Sequence, residues 1–344
     1  MYEDKPIIKN SEVFTDEFLP NTINHRDGQM KAVRDDLNPL LNNKPGRSVF
    51  IFGAPGTGKT STSKYIINEL ASQSVFTSYI NCWNTSSRFK ILYTILQNFG
   101  ESLSIHTKGT PTHDLLELLK KKVQEKQAVI ILDEVDQLED DKILYDLIMI
   151  ANVSVILIAN SETALHDNDP RIRSRLASAD TIEFPKYKSD EITEILKERA
   201  ELGLVPGVVK NAQLEKIAER SLGDSRIAIN ILKIASEEAE KKDEGKITDD
   251  DVEKASPKAI EQGKKKSIET LNDHQKLIYS VISMGVKTEP SELYTKYQEE
   301  CKRKDIEPVK DRTIRKYLDK MIQYKLILAE GEARWRTYSI QKAQ

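Results

Sequence analysis

Ser48-Val-Phe-Ile-Phe52-Gly53-Ala-Pro-Gly-Thr-Gly-Lys59-Thr60 is the stretch on which the reading of this chain turns. Its first five residues form a short β-branched and aromatic run ended by glycine, as a buried strand requires. From about Thr60 to Ala71 the pattern becomes helical. Between strand and helix, the glycines and the Lys-Thr pair fit the phosphate-loop spacing G-x-x-x-x-G-K-[ST]. Glycines let backbone N–H groups turn inward around a β-phosphate, and the helix N-terminus adds a favourable dipole. Lys59 can then reach the β- and γ-phosphates, and the Thr60 hydroxyl can ligate Mg²⁺. Nucleotide contacts are expected from Gly53, Ala54, Pro55, Gly56, Thr57, Gly58, Lys59, Thr60 and Ser61. A glycine-rich turn without a ligand is the competing explanation, and the flanking strand and helix weigh against it.

Outward from this loop, strands and helices alternate. Phe76–Asn81, Ala128–Leu132, Val153–Ala159 and Asp180–Phe184 are further strands. Helices fit Arg26–Leu41, Ser86–Phe99, Thr112–Glu125 and Lys142–Asn152. Unbroken apolar strands separated by helices predict an α/β fold with a parallel sheet covered on both faces. After Pro185 only helices follow: Ser189–Arg199, Ala212–Ser221, Ser225–Glu240 and Thr248–Ala255, with Gly263–Lys266 (GKKK) expected as a linker. The last module predicts helices at His274–Ser283, Pro290–Arg303 and Asp311–Tyr324, then a strand pair. The expected domains are 1–186, 187–262 and 268–344.

Val129-Ile-Ile-Leu-Asp133-Glu134 supplies the other half of the site. An apolar strand with two acids at its C-terminal end delivers them beside the phosphate loop. Asp133 can hold Mg²⁺ through water, and Glu134 can polarise the water that attacks a γ-phosphate. A solvated acidic turn is the alternative, since Asp136, Glu139, Asp140 and Asp141 follow. Asn160 ends the next strand at the level of Glu134, where its amide can orient that water. It also fits a plain strand-end turn.

This arrangement resembles the AAA+ ATPases. The resemblance implies two further arginines. Arg171 and Arg175 lie in Asp169-Pro-Arg-Ile-Arg-Ser-Arg-Leu176, where that family carries an arginine finger aimed at a neighbouring subunit's ATP. Arg175 is preferred, because a planar guanidinium suits phosphate charge, although Arg173 and Arg175 also fit a solvated basic face. Arg226, in Gly223-Asp-Ser-Arg226 at the head of a lid helix, matches the arginine that senses γ-phosphate in its own chain.

Within AAA+, the chain most resembles the archaeal initiators related to the origin recognition complex and the cell-division-cycle helicase loader, over nearly its whole length. Phe18-Leu-Pro20 and Ile23-Asn-His25-Arg26-Asp-Gly-Gln29 are similar to the box that embraces adenine and ribose, which implies nucleotide contacts from His25 and Arg26. Asn81–Phe99 matches in position a helical insertion that contacts DNA, with Arg88 its candidate. Ser161 departs from the family, many of whose members carry an acid there.

Asp311–Tyr324 is amphipathic: Ile314, Tyr317, Leu318 and Met321 form a stripe expected to be buried. Arg312, Arg315, Lys316 and Lys320 fall on the other side. Arg334, Trp335 and Arg336 stand in a run that, with Leu326–Ala329, flanks Glu330-Gly331-Glu332-Ala333, which predicts a hairpin turn. Three helices and a basic hairpin describe a winged helix, a shape that reads DNA and in other proteins docks proteins.

The net charge of −3 excludes a protein that coats nucleic acid everywhere and leaves a local patch as the DNA surface. No run of about 18 apolar residues provides a membrane span. The N-terminus lacks a secretory apolar core, so a location inside the cell is expected, and the resemblance implies a cytoplasmic, nucleoid-associated one. Cys82 and Cys301 are too few for a disulfide scaffold or a metal cluster. The resemblance implies a replication initiator with ATP/ADP and Mg²⁺ as cofactors. Its implied partners are origin duplex DNA, a paralogous initiator or a second copy of itself, and the replicative helicase. A Holliday-junction branch-migration motor shares the AAA+ and winged-helix order but lacks the insertion. A clamp loader ends in a helical collar. A non-catalytic regulator would not keep Glu134, Asn160, Arg175 and Arg226.

Overall fold

The computed structural model describes residues 6–340 apart from 74, 102–109, 125, 167–168, 243–244, 270, 325 and 332–335. Contacts divide the chain into two units, up to Val252 and from Glu253 onward. In the first, α1 (Asp27–Leu37) precedes β1 (Val49–Phe52), α2 (Lys59–Ala71) and β2 (Phe76–Asn81). Then come α3 (Arg88–Asn98), α4 (Thr112–Lys122), β3 (Ala128–Asp133), α5 (Lys142–Ile148), β4 (Val153–Ala159), α6 (Pro170–Leu176) and β5 (Asp180–Glu183). The helices α7 (Ser189–Gly203), α8 (Asn211–Arg220) and α9 (Ser225–Lys241) follow.

The five strands are parallel in the order β2-β3-β4-β1-β5. Every residue of β3 and β4 is buried, because side chains that alternate across a strand meet helices on both faces. Ile130 and Leu132 pack with Leu92, Leu119 and Leu144, from α3, α4 and α5. Val129 and Ile131 pack with Val33 of α1 and Ile66 of α2 on the other side. Each such fully buried side chain contributes about 1.5–3 kcal/mol relative to exposure. The C-terminal ends of β1, β3 and β4 therefore converge, and in an open parallel sheet that edge is where ligands bind.

The boundary between units falls inside α10 (Asp249–Glu269). The expected linker is corrected here, since Gly263 and the lysines after it lie within this helix. Pro257 removes one backbone donor without ending it. Gly263 does not adopt the left-handed conformation that terminates helices. The helix expected over 142–152 stops at Ile148, and α6, not foreseen, begins on Asp169, whose side chain accepts from Arg171 N–H with Pro170 in the first turn.

The second unit holds α11 (Asp273–Met284), α12 (Pro290–Arg303), α13 (Asp311–Gln323) and an antiparallel pair, β6 (Ile327–Glu330) and β7 (Thr337–Ile340). Asn272 and Gln275 cap α11 reciprocally. Ile314, Leu318 and Met321 of α13 are buried, whereas Tyr317 is only half-buried. Its ring at the margin of the stripe is a correction to the expected buried set. Among the described residues no helix is long and apolar enough to cross a membrane.

Candidate functional site: a phosphate cleft and a basic helix

The strand ends open on a cleft lined by Pro55 to Ser61, Asp133, Glu134, Asn160, Ser225 and Arg226. The fold thus brings together most of the residues assigned to nucleotide and metal. Lys59 is buried, and its ammonium donates to the carbonyls of Gly53 (2.7 Å) and Ala54 (2.9 Å) and to Asn160 Oδ1 (3.3 Å). Burial lowers its pKa to about 8, against the pull of Asp133. A buried cation next to three neutral acceptors is a strong attractor for phosphate oxygens. Thr60 Oγ1 donates to Asp133 Oδ2 at 2.6 Å, so its lone pairs stay available to a cation. The donor set of Thr60 and Asp133, all oxygen, fits Mg²⁺.

Glu134 follows Asp133 with φ 56° and ψ 50°. A non-glycine residue in this left-handed region is strained by about 1–2 kcal/mol, and such strain concentrates at functional sites. Asp133 pairs in register with Ile158, which sets Asn160 one residue beyond the level of Glu134. Arg226 stands in the first turn of α9, exposed, with Nη2 3.6 Å from Asp224 Oδ2. Asp224 caps that helix by accepting from the N–H groups of Arg226 and Ile227.

Arg26 is placed differently from the expected base contact. It is buried, and its guanidinium donates to the carbonyls of Thr57 (2.9 Å), His25 (2.8 Å) and Pro185 (2.8 Å). It also lies 3.7 Å over the Tyr187 ring, and desolvation lowers its pKa. Arg26 therefore braces the phosphate loop from behind. His25 Nε2 lies 2.9 Å from Glu194 Oε2 of α7. Neither lines the cleft. Gly53 and Ala54 face Lys59 with their carbonyls instead of lining the cleft.

Arg175 is exposed on α6 and outside this chain's own cleft. Arg171 is paired with Asp169 at 2.9 Å, which holds that exposed carboxyl down at about 2. Arg88 is tied to Asp146 at 2.5 Å, so its guanidinium anchors α3 to α5. Sequence reasoning missed Tyr79, whose hydroxyl donates to Asp133 Oδ2 at 3.0 Å. It also missed Ser225, which binds the Gly56 carbonyl. Only the sheet order reveals the first, while the helix-capping Asp224-Ser225 pair was a legible signal for the second.

In the second unit Arg312, Arg315 and Lys316 are exposed on α13, opposite Ile314 and Leu318. The neighbouring Tyr294 hydroxyl raises the pKa of Arg315. Arg336 leans back to Asp319, 3.6 Å away. Arg334 and Trp335 lie outside the described residues.

Three family models match: an AAA domain over residues 42–165, a Cdc6 AAA+ ATPase-type lid domain over 193–257, and a CDC6 C-terminal winged helix domain over 266–343. The chain is 39% identical over 337 residues to ORC1-type DNA replication protein 9 of Halobacterium salinarum, covering 97% of this chain and 94% of that protein. It is 35% identical to ORC1-type DNA replication protein 1 of the same organism, over 90% of this chain and 100% of that protein. Its fold matches the Aeropyrum pernix ORC1 protein, solved in complex with DNA, with TM-score 0.77 at 24% identity, over 98% of this chain and 94% of that one.

Proposed function

The chain belongs to the ORC1-type DNA replication protein family, an AAA+ ATPase joined to a winged helix, and from that premise we propose that it is an ATP-switched initiator that binds origin duplex DNA. The carrying observation is that Lys59, Thr60, Asp133, Glu134, Asn160 and Arg226 share one cleft in a chain whose α13 exposes Arg312, Arg315 and Lys316. Working divisions at 1–186, 187–262 and 268–344 separate nucleotide core, lid and DNA-reading module.

In this reading Pro55 to Ser61 cradle the phosphates, with Lys59 donating to them, and Thr60 and Asp133 would hold Mg²⁺, which when bound neutralises developing phosphate charge. Glu134 takes a proton from the attacking water, which Asn160 orients. Arg226 senses the γ-phosphate from the same chain, and Arg175 reaches the site of an adjacent copy or paralogue. The buried Lys59 and strained Glu134 suit a slow hydrolysis that marks a state. The ATP state would recruit the replicative helicase, and hydrolysis would end it.

On DNA, α13 would enter a major groove with Arg312, Arg315 and Lys316 while the α3 region adds contacts from the ATPase core. A salt titration of duplex binding by fluorescence anisotropy tests this. Arg312→Ala and Arg315→Ala should each cost about 1–3 kcal/mol and relax sequence preference. Lys316→Ala should weaken all sequences alike and reduce the salt slope by about one. Unchanged affinity and slope in all three would make the module a protein-docking winged helix.

A further inference from the structure

Asp133 is the buried carboxylate at the heart of the cleft, and two hydroxyls converge on a single one of its oxygens. Thr60 Oγ1 lies 2.6 Å and the Tyr79 hydroxyl 3.0 Å from Oδ2. An ionised carboxylate only accepts, so both hydroxyls donate. Thr60 arrives from the loop side, Tyr79 from the neighbouring strand. Asn81, not Tyr79, stands directly opposite Asp133 in the β2–β3 register. Tyr79 is two residues back on the same face, a diagonal position that only a long aromatic side chain spans.

A cation holds the ring in that pose: the ammonium of Lys64, from α2, lies 4.0 Å over it. Asn81, at the end of the same strand, is itself fixed by accepting from Trp83 N–H at 2.8 Å on Oδ1. Burial and the charge of Asp133 keep the phenol protonated across the physiological range.

We propose that Tyr79 is a positioning residue of the Mg²⁺ site: it immobilises one oxygen of Asp133 and fixes which oxygen the carboxylate offers to the cation's water shell. The inference rests on the Mg-nucleotide reading of the cleft. Thr60 cannot perform this task alone, since its hydroxyl rotates and also serves the cation. Tyr79 ligates nothing, so it holds the carboxylate whether or not nucleotide is present. Outer partners of this kind commonly set metal affinity by about 10–100-fold.

Tyr79→Phe removes one oxygen and keeps the ring under Lys64. Full-length wild type and variant are compared in two titrations, ADP binding in the presence of EDTA and Mn²⁺ binding to the ADP complex followed by electron paramagnetic resonance. The proposal expects equal metal-free ADP affinity and Mn²⁺ binding weakened about tenfold or more. Equal Mn²⁺ affinity in the two proteins overturns it, even with a lowered melting temperature, because a structural tyrosine would change stability alone. A parallel loss of metal-free ADP affinity also overturns it, by locating the defect in the loop. Wild-type ADP binding indifferent to Mg²⁺ and Mn²⁺ would sink the Mg-nucleotide reading itself, a result distinct from either.

Discussion

Ser225 delivers two donors to one acceptor: its backbone N–H at 3.1 Å and its hydroxyl at 2.8 Å both meet the carbonyl of Gly56. The head of α9, which carries Arg226, is thus bonded to the phosphate loop itself. Any displacement of the loop backbone at Gly56 is felt at Arg226, one residue from the bond.

Gly56 tests this coupling. Its φ of 72° suits glycine, and a Cβ there would lie 1.8 Å from Asp224 Oδ1. Gly56→Ala should therefore push α9 off the loop and lower ADP affinity at least about tenfold, or about 1.4 kcal/mol. Ser225→Ala keeps the backbone bond and should cost only about 0.5–1.5 kcal/mol of stability. Calorimetric ADP titration with denaturant unfolding checks both. A Gly56→Ala protein that binds ADP normally would refute the coupling.

Glu134→Gln should preserve ATP binding and abolish turnover, because the carboxylate that accepts the proton is gone while Lys59 and Thr60 remain. Glu134→Gly should be equally inactive yet no less stable than wild type, since glycine adopts φ 56° without a Cβ penalty. Single-turnover hydrolysis and urea unfolding provide the two measurements. Wild-type hydrolysis in the glutamine variant would remove Glu134 from its role.

Arg175→Ala should leave ATP binding intact and reduce hydrolysis only in assemblies where one chain completes another's site. Adding a Lys59 variant with intact Arg175 should restore activity. A concentration-independent ATPase indifferent to the substitution contradicts the finger. Closed hexamers with ATP analogue under negative stain, together with continuous turnover, would favour a branch-migration motor.

Asp36 should make stability fall as pH rises. Burial first, then the hydrogen bond and charge of Asp180, lift its pKa from 3.8 to about 6, with Arg47 opposing. The folded state retains a proton that the unfolded chain releases. This contribution is complete below about pH 3.8 and is lost as pH rises through about 6. Asp36→Asn should therefore stabilise the protein at pH 7 by about 1–3 kcal/mol, and the gain should disappear near pH 4. Thermal melts across that range decide it. A pH-independent difference would place its origin elsewhere.

The sheet and the cleft were legible because they rest on local chemistry. The strand of Phe76–Asn81 and that of Val153–Ala159 have the bounds expected from their composition, and the loop spacing alone placed Lys59 beside Thr60. Side-chain commitments depend on long-range partners and were not legible. Nothing near Arg26 in sequence announces the carbonyls of Thr57 and Pro185, and nothing near Arg88 announces Asp146. The course of α10 was missed because Pro257 and Gly263 lower helix propensity without forbidding the conformation.

The strand order also governs how the protein is made. β1 lies between β4 and β5, so the strand feeding the phosphate loop has no sheet neighbour until about a hundred more residues leave the ribosome, an interval of roughly 5–20 s at typical elongation rates. During that interval Val49, Phe50 and Ile51, buried in the finished protein, are exposed on a nascent chain unable to grip nucleotide. The strand that feeds the phosphate loop thus waits longer for a partner than any other strand of its sheet, and it is the one on which chaperones should act during synthesis.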